Sequence, residues 1–440
     1  MKISRNKVTV IGAGLSGCEA SYQLLKRGFA VDLYEMRPLK STPAHKTGDF
    51  AELVCSNSLK SDVADTSSGL LKTELKMLDS LLLKCAYETR VEAGGALAVD
   101  RKLFSESVRK NLEKFEKFNL VTEEVERIPA APVIVATGPL TGEKLFEDIK
   151  SRTLNRLFFF DAVAPIVDAS SVDPEKSFES GRYGKGDGYI NCPMNKEEYD
   201  AFYNALVNGE TVPLKDFEGK EVFEGCMPVE VMAKRGYDTM RFGMLKPVGL
   251  TDPKTGRRPY AVLQLRKETQ DGSAYNLVGF QTNLKFSEQK RIFSMIPALN
   301  HAEFLRYGVM HRNSYLYSPD CLTRTFRLRG DDAVYFGGQI TGVEGYVESI
   351  MSGLLAAIHL SREIGGLPES VPPKTTMCGA LSRYITLHNK NFQPMNSNFG
   401  ILPAVEGRDK NERRTNYVAR AVSDMENYVN ALNRDEELSG

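Results

Sequence analysis

The chain has 440 residues, 42% hydrophobic and 26% charged, enough to bury two cores and unlike a disordered, fibrous or small disulfide-held protein. Lys+Arg and Asp+Glu both number 57, so no global field draws in a polyanion, and any such partner must meet a local basic patch. Seven cysteines without a C-x-x-C pair argue against structural zinc and fit a reducing compartment better than a disulfide framework.

The N-terminal apolar run ends in glycines after a few residues, too short for a signal peptide or a membrane span, so a cytoplasmic protein is expected. Lys7 to Ile11 is a β-branched run that meets Gly12. Helix formers then continue through Arg27 to Gly28, and AVDLYE (30 to 35) reads as a second strand. This β-turn-α-β unit opens a doubly wound parallel sheet. Asp100 is the expected N-cap of a helix whose Phe104, Val108, Leu112 and Phe115 recur at helical spacing. VIVATG (133 to 138) reads as a buried strand ending at a glycine turn. From about 146 to 300 short strands, turns and charged stretches such as SGRYGKGDGY and LTDPKTGRRPY suggest an inserted domain. VYFGG (334 to 338) returns to the buried-strand pattern, and after Gly345 a helix carries Val347, Ile350, Leu354, Ala357 and Ile358 on one side. Asp409 to Asn433 reads as a polar surface helix. The expected division is 1–145 and 301–440 for an interrupted first domain and 146–300 for the insertion.

Gly12, Gly14 and Gly17 form G-x-G-x-x-G between a strand and a helix, with Ala13, Leu15 and Ser16 filling the turn. Such glycines permit the tight turn and let a pyrophosphate approach the helix N-terminus. Glu35 ends the second strand 18 positions past Gly17, where a carboxylate accepts hydrogen bonds from ribose hydroxyls. FAD and NAD share this unit. The ATG segment ending at Gly138 and the GGQITGVEGY stretch (337 to 346), with Gly338, Gln339, Gly342 and Tyr346, resemble later FAD-contacting segments of glutathione-reductase-like flavoproteins.

Several long stretches resemble the folate- and FAD-dependent tRNA (uracil-5-)-methyltransferase family: FAELVCSNSLKSD (50 to 62), EAGGALAVDR (92 to 101), FEGCMPVEVMAKRGYDTMRFGMLKPVGL (223 to 250), NLVGFQTNLK (276 to 285), YGVMHRNSY (307 to 315), GGQITGVEGYVES (337 to 349) and FQPMNSNFGILP (392 to 403). The resemblance implies an α/β fold in which a glutathione-reductase-like FAD-binding Rossmann domain is interrupted by a smaller α+β insertion. It implies transfer of a one-carbon unit from 5,10-methylenetetrahydrofolate to C5 of a tRNA uridine, at T-loop position 54, with NAD(P)H reloading the flavin. Methylation of a ribosomal RNA uridine by the same chemistry, a plain NAD(P)H-dependent flavin oxidoreductase and a non-catalytic RNA-binding protein are the alternatives.

Uracil C5 becomes nucleophilic only after a thiolate adds to C6, so this chemistry calls for a cysteine. Cys226 in EGCMP and Cys55 in LVCSNS match the family's paired cysteines. Cys226 is assigned the attack and Cys55 an acid/base role near the flavin, with the reverse assignment left open. Cys18, Cys85, Cys192, Cys321 and Cys378 read as ordinary buried residues. The resemblance makes His311 the stacking partner of the folate pteridine and leaves Lys285, Arg312 and Tyr346 in matching stretches. The five histidines show no metal-ligand spacing. Residues 234 to 267 hold nine basic side chains against Asp238 and Asp252, a local charge of +7 that suggests a phosphate-binding surface, with Arg257 and Arg258 as the RNA-contacting candidates.

Overall fold

The structure, a computed structural model, describes residues 6–130, 132–153, 156–162, 164–184, 188–212, 227–269, 271–308, 310–331, 333–388 and 392–439. Its centre is an all-parallel five-stranded sheet. The strands stand in the order Val334–Phe336, Val133–Val135, β1 (Lys7–Ile11), β2 (Ala30–Glu35) and Phe118–Thr122. Parallel sheets are covered on both faces, and the runs VTVI, VIV and VYF supply the continuous apolar side chains this requires. From β1 the chain passes through helix α1 (Leu15–Lys26) to β2 on one side, whereas Val133–Val135 lies on the other side of β1. The order therefore reverses beside β1, the switch point at which such sheets open a crevice beyond their C-terminal ends.

Helix Tyr346–Ile364 crosses α1 at backbone contact. A Cβ built on Gly353 would lie 2.2 Å from the Ser16 carbonyl oxygen. The sequence expects one apolar face on this helix; the structure buries it from Val347 through Arg362, because helix Ser67–Met77 packs on a second side. Asp100 caps its helix as expected, accepting from the Lys102 and Leu103 amides, and Phe104, Val108 and Leu112 are buried. The last helix runs from Lys410 to Ser439, and its Ala421, Met425, Tyr428 and Leu432 form a stripe that joins the main core.

Between Val133–Val135 and Val334–Phe336 the chain builds a second body. Its antiparallel sheet has the order Phe178–Glu179, Tyr189–Met194, Ala261–Lys267, Ala274–Leu277, Ile166–Asp168 and Phe304–Arg306. Helices Lys196–Val207, Val229–Lys234 and Phe286–Phe293 contribute to its own core, which includes Cys192, Phe202, Leu263, Phe280 and Phe293. A two-stranded ribbon, Arg156–Ala162 with Met310–Leu316, carries the chain out and back. Helix Glu143–Thr153 spans the expected boundary at 145/146, and its Leu145 and Ile149 pack with Ile11, Val133 and Val334 of the first body.

Two buried carboxylates fasten helices by their N-termini, where backbone N–H groups lack intrahelical partners. Glu19 accepts from the Leu81 and Leu82 amides. Glu74 accepts from the Met377 and Cys378 amides at 2.7 and 2.8 Å. Burial pushes Glu74 up from 4.5 to about 7 even though both amides pull it down. A raised folded pKa means that the native state binds the proton more tightly than the unfolded chain. The stability from this group is thus fully present below about 4.5 and is lost as pH rises through 7. Wild-type stability should carry a falling component of about 1–3 kcal/mol across that window. In Glu74→Gln melts taken from pH 5 to 8 that component should disappear; an unchanged slope would show that Glu74 does not titrate there.

Candidate active site

The three glycines of the turn do different work. Gly12 has φ 100°, which a side chain would strain, and donates its amide to Tyr34 O. A Cβ on Gly17 would lie 1.8 Å from Gly12 O, so that position must stay bare for α1 to meet the turn. Gly14 has ordinary extended dihedrals and nothing within 4 Å of a built Cβ; its bare face looks into the cleft. Gly14 is the N-cap of α1 and Gly345 the N-cap of helix Tyr346–Ile364, and neither helix start receives a side-chain cap. Both starts border the same cleft, and Ser16 Oγ is buried there with no hydrogen-bond partner among the described residues. Uncapped N–H groups, a positive helix end and a free hydroxyl fit the pyrophosphate of a dinucleotide such as FAD.

Of the residues expected at the cofactor, Gly12, Gly14, Leu15, Ser16, Glu35, Gly138, Gly338, Gln339 and Tyr346 line this cleft together. Ala13, Gly17 and Gly342 stand behind the lining: Ala13 donates its amide to Glu35 Oε2 at 2.9 Å, and Gly342 lies against the Phe392 ring. Glu35 is at the wall, but its carboxylate is already engaged. Oε1 accepts from the Arg37 amide and Nε, and Oε2 accepts from Ala13 N and Arg37 Nη2. These contacts fill the roughly four acceptor positions of a carboxylate, so a ribose hydroxyl reaches Glu35 only by sharing or displacing Arg37. Burial alone would raise the Glu35 carboxyl, yet the Arg37 hydrogen bonds and charge hold it below the ordinary range. Arg37 is itself buried and also pairs with Glu52 at 2.9 Å. The sequence reading missed Arg37; its only local signal is a cation two positions past the strand-end carboxylate.

A second cluster surrounds Cys55. The Cys55 and Ser56 amides donate to the Tyr346 hydroxyl at 2.8 and 3.1 Å, and Arg306 Nη2 donates to Cys55 O at 3.2 Å. Burial, followed by the neighbouring Cys55 charge, pushes the Tyr346 phenol well above its ordinary range, so it stays a neutral hydrogen-bonding group. From the second body, Arg266 Nη2 donates to Ser56 Oγ at 2.6 Å and Arg266 Nε to Asn57 Oδ1 at 3.0 Å. Asn57 Nδ2 returns a bond to Lys267 O at 2.8 Å. The loop from Cys55 to Asn57 is therefore held between the first body's helix and the second body's sheet. Among the six described cysteines Cys55 alone is partly exposed. Burial pushes the thiols of Cys18, Cys85, Cys192, Cys321 and Cys378 up, as expected of inert core residues.

Cys226 lies outside the described residues. His311 sits in the ribbon strand Met310–Leu316, its backbone opposite Asp161, and its side chain is likewise outside them. The basic stretch divides on inspection. Arg266 is buried in the Cys55 cluster, Lys267 pairs with Glu92, Lys254 with Glu175 and Arg241 with Asp238. Lys234, Lys246, Arg257 and Arg258 are exposed and make no ion pair among the described residues. Among those residues no group of three His, Cys, Asp or Glu side chains could hold a metal ion, and no helix is long and apolar enough to cross a membrane.

Comparison with known proteins places this architecture. The family described as Glucose inhibited division protein A (GIDA) matches residues 7–368. A Halalkalibacterium halodurans protein named methylenetetrahydrofolate--tRNA-(uracil-5-)-methyltransferase TrmFO is 50% identical over 435 residues, 98% of this chain and 100% of its own. The protein of that name from Acetivibrio thermocellus is 53% identical over 428 residues, 96% of this chain and 98% of its own. Aquifex aeolicus GidA, a solved structure 14% identical, superposes with a TM-score of 0.69 over 97% of this chain and 75% of its own, a likeness of fold.

Proposed function

This chain belongs to the TrmFO family of methylenetetrahydrofolate--tRNA-(uracil-5-)-methyltransferases, and from that premise we propose that it methylates C5 of a tRNA uridine, in the T-loop at position 54. The observation that carries the reading is the Cys55 loop, fixed through Tyr346 at the edge of a dinucleotide cleft. FAD bound in that cleft supplies the redox chemistry that links methylenetetrahydrofolate, NAD(P)H and the transferred carbon. The chain's own residues bind and position. The α1 N-terminus and Ser16 hold the pyrophosphate, and the Glu35–Arg37 pair meets the adenosine ribose. His311 stacks on the folate ring. Cys226, as thiolate, adds to uracil C6 and makes C5 nucleophilic; once C5 has gained its carbon, loss of the C5 proton expels the thiolate. Cys55 is the acid/base group that receives that proton. The absence of disulfides among the six described cysteines supports a cytoplasmic site of action.

Incubation with unmodified tRNA, methylenetetrahydrofolate and NADPH should yield 5-methyluridine on nucleoside analysis. Flavin reduction without any modified nucleoside would instead make the protein a plain flavin oxidoreductase. Arg257 and Arg258 are exposed and make no ion pair among the described residues, so they are the cations proposed to meet phosphates. The double variant Arg257→Glu, Arg258→Glu should weaken tRNA binding at least about tenfold and flatten the log–log salt dependence by about two, with flavin content unchanged. Equal affinity in filter-binding titrations would place the RNA surface elsewhere.

A further inference from the structure

Two large aromatic side chains stand in water on the second body where the basic stretch folds. Phe242 is 82% exposed and Tyr183 67% exposed. Single exposed apolar residues are common on protein surfaces, so exposure by itself decides nothing. These two, however, are held in place. Phe242 ends the short helix Thr239–Phe242, and its amide is bonded to Asp238 O at 3.1 Å. The preceding Arg241 lies 3.7 Å over the Tyr260 ring and donates to Tyr260 O. Tyr260 directly follows Arg257, Arg258 and Pro259, so Phe242 and the two arginines flank one fixed contact.

Tyr183 is held at greater cost. Its φ of 58° and ψ of 27° put a bulky residue in the left-handed region, where glycine is the ordinary choice. Its amide donates to Gly249 O at 2.8 Å, and Arg182 Nη1 donates to Val248 O at 2.8 Å. The ring lies on Gly249, where a Cβ would approach it to 2.9 Å. Backbone strain and a bare glycine together set one orientation of an exposed ring. Between the two aromatic positions in the segment from 242 to 249 stands Lys246, exposed and without an ion pair among the described residues.

Aromatic faces interleaved with unpaired cations are what a nucleic-acid strand with unstacked bases requires: cations meet phosphates, and rings take the place of lost base neighbours. A uridine buried in a folded RNA must leave its stack before C5 can be reached, which leaves adjacent bases without partners. We propose that Phe242 and Tyr183 are stacking platforms for unpaired bases of the RNA substrate and, with Lys246, Arg257 and Arg258, position it for reaction. This rests on the proposed reading that the substrate is tRNA.

The test uses the flavin-loaded enzyme with Phe242→Leu, Tyr183→Leu, Phe242→Trp and Tyr183→Phe. Each leucine variant should raise Kd and KM for tRNA about tenfold, with flavin content and the NADPH reduction rate in the absence of RNA unchanged. The aromatic replacements should retain wild-type affinity. The salt slope of the leucine variants should equal that of wild type, since no charge is removed, unlike the slope of the arginine variants. Leucine variants that bind like wild type overturn the proposal, as do aromatic replacements impaired as badly as leucine, which would mark a structural role. If wild-type enzyme neither binds nor methylates tRNA, the functional reading itself falls and takes this proposal with it.

Discussion

Gly14→Val should give a folded protein that has lost its flavin. The backbone at Gly14 is extended, with φ −74° and ψ −172°, and a Cβ there meets no protein atom within 4 Å. The added Cβ of a valine therefore meets no protein atom, and melting followed by circular dichroism should stay close to that of flavin-free wild type. What the branched side chain occupies is the approach to the α1 N-terminus, where the pyrophosphate must come close to bare backbone. Flavin affinity should fall at least about 100-fold, roughly 2.7 kcal/mol, so the purified variant should be colourless. Gly17→Ala is the contrasting case. Its Cβ would sit 1.8 Å from Gly12 O, so the turn and helix must part, and the expected result is a destabilised or insoluble chain, costing about 3 kcal/mol or more. A yellow Gly14→Val enzyme with full flavin content would mean that the pyrophosphate does not lie at this helix end.

These two glycines also mark how far the amino-acid sequence alone can be read. The spacing of Gly12, Gly14 and Gly17, the strand ending at Glu35 and the cap at Asp100 are local features whose meaning is set within a few turns of chain, and the fold carries each where it was expected. Much of what was not legible depends on partners far away in the chain. Asn57 binds Lys267 across 210 positions, and Glu74 binds Met377 across 303. Neither side chain announces its role, because a donor or acceptor reads the same in a sequence whether its partner is a neighbour, a distant residue or water. Arg37 is legible as a cation but not as the group that fills the Glu35 carboxylate. Charge counting over 234–267 similarly overstates the free surface, since Arg241, Lys254 and Lys267 pair with carboxylates and Arg266 is buried at the junction of the two bodies. Phe242 misleads in the opposite sense. Apolar type predicts burial, and only the fold reveals that its short helix turns the ring outward.

Replacing Cys226 should abolish methyl transfer while leaving the flavin in place. The chemistry calls for a thiolate, whose addition to C6 converts C5 into a nucleophile, and of the two motif cysteines, Cys226 and Cys55, the proposed reading gives that role to Cys226. Cys55 is held differently. Its amide is tied to the Tyr346 hydroxyl and its carbonyl to Arg306, next to Val54 and Tyr346, which line the dinucleotide cleft. In the proposed reading the Cys55 thiol therefore takes the proton exchange, and the attack on the base is left to Cys226. In Cys226→Ala the rate should fall by more than about 1,000-fold, as on removing a covalent nucleophile, with a normal flavin spectrum. Cys55→Ala should also lose turnover but should still trap its substrate. RNA carrying 5-fluorouridine at the target separates the two, because fluorine cannot leave C5 as a proton does, and the enzyme–RNA adduct at C6 therefore accumulates. On a denaturing gel the slower band should form with wild type and with Cys55→Ala and be missing with Cys226→Ala. A band that persists in Cys226→Ala and vanishes in Cys55→Ala would reverse the two roles, and the thiol beside Tyr346 would then be the one that reaches uracil C6.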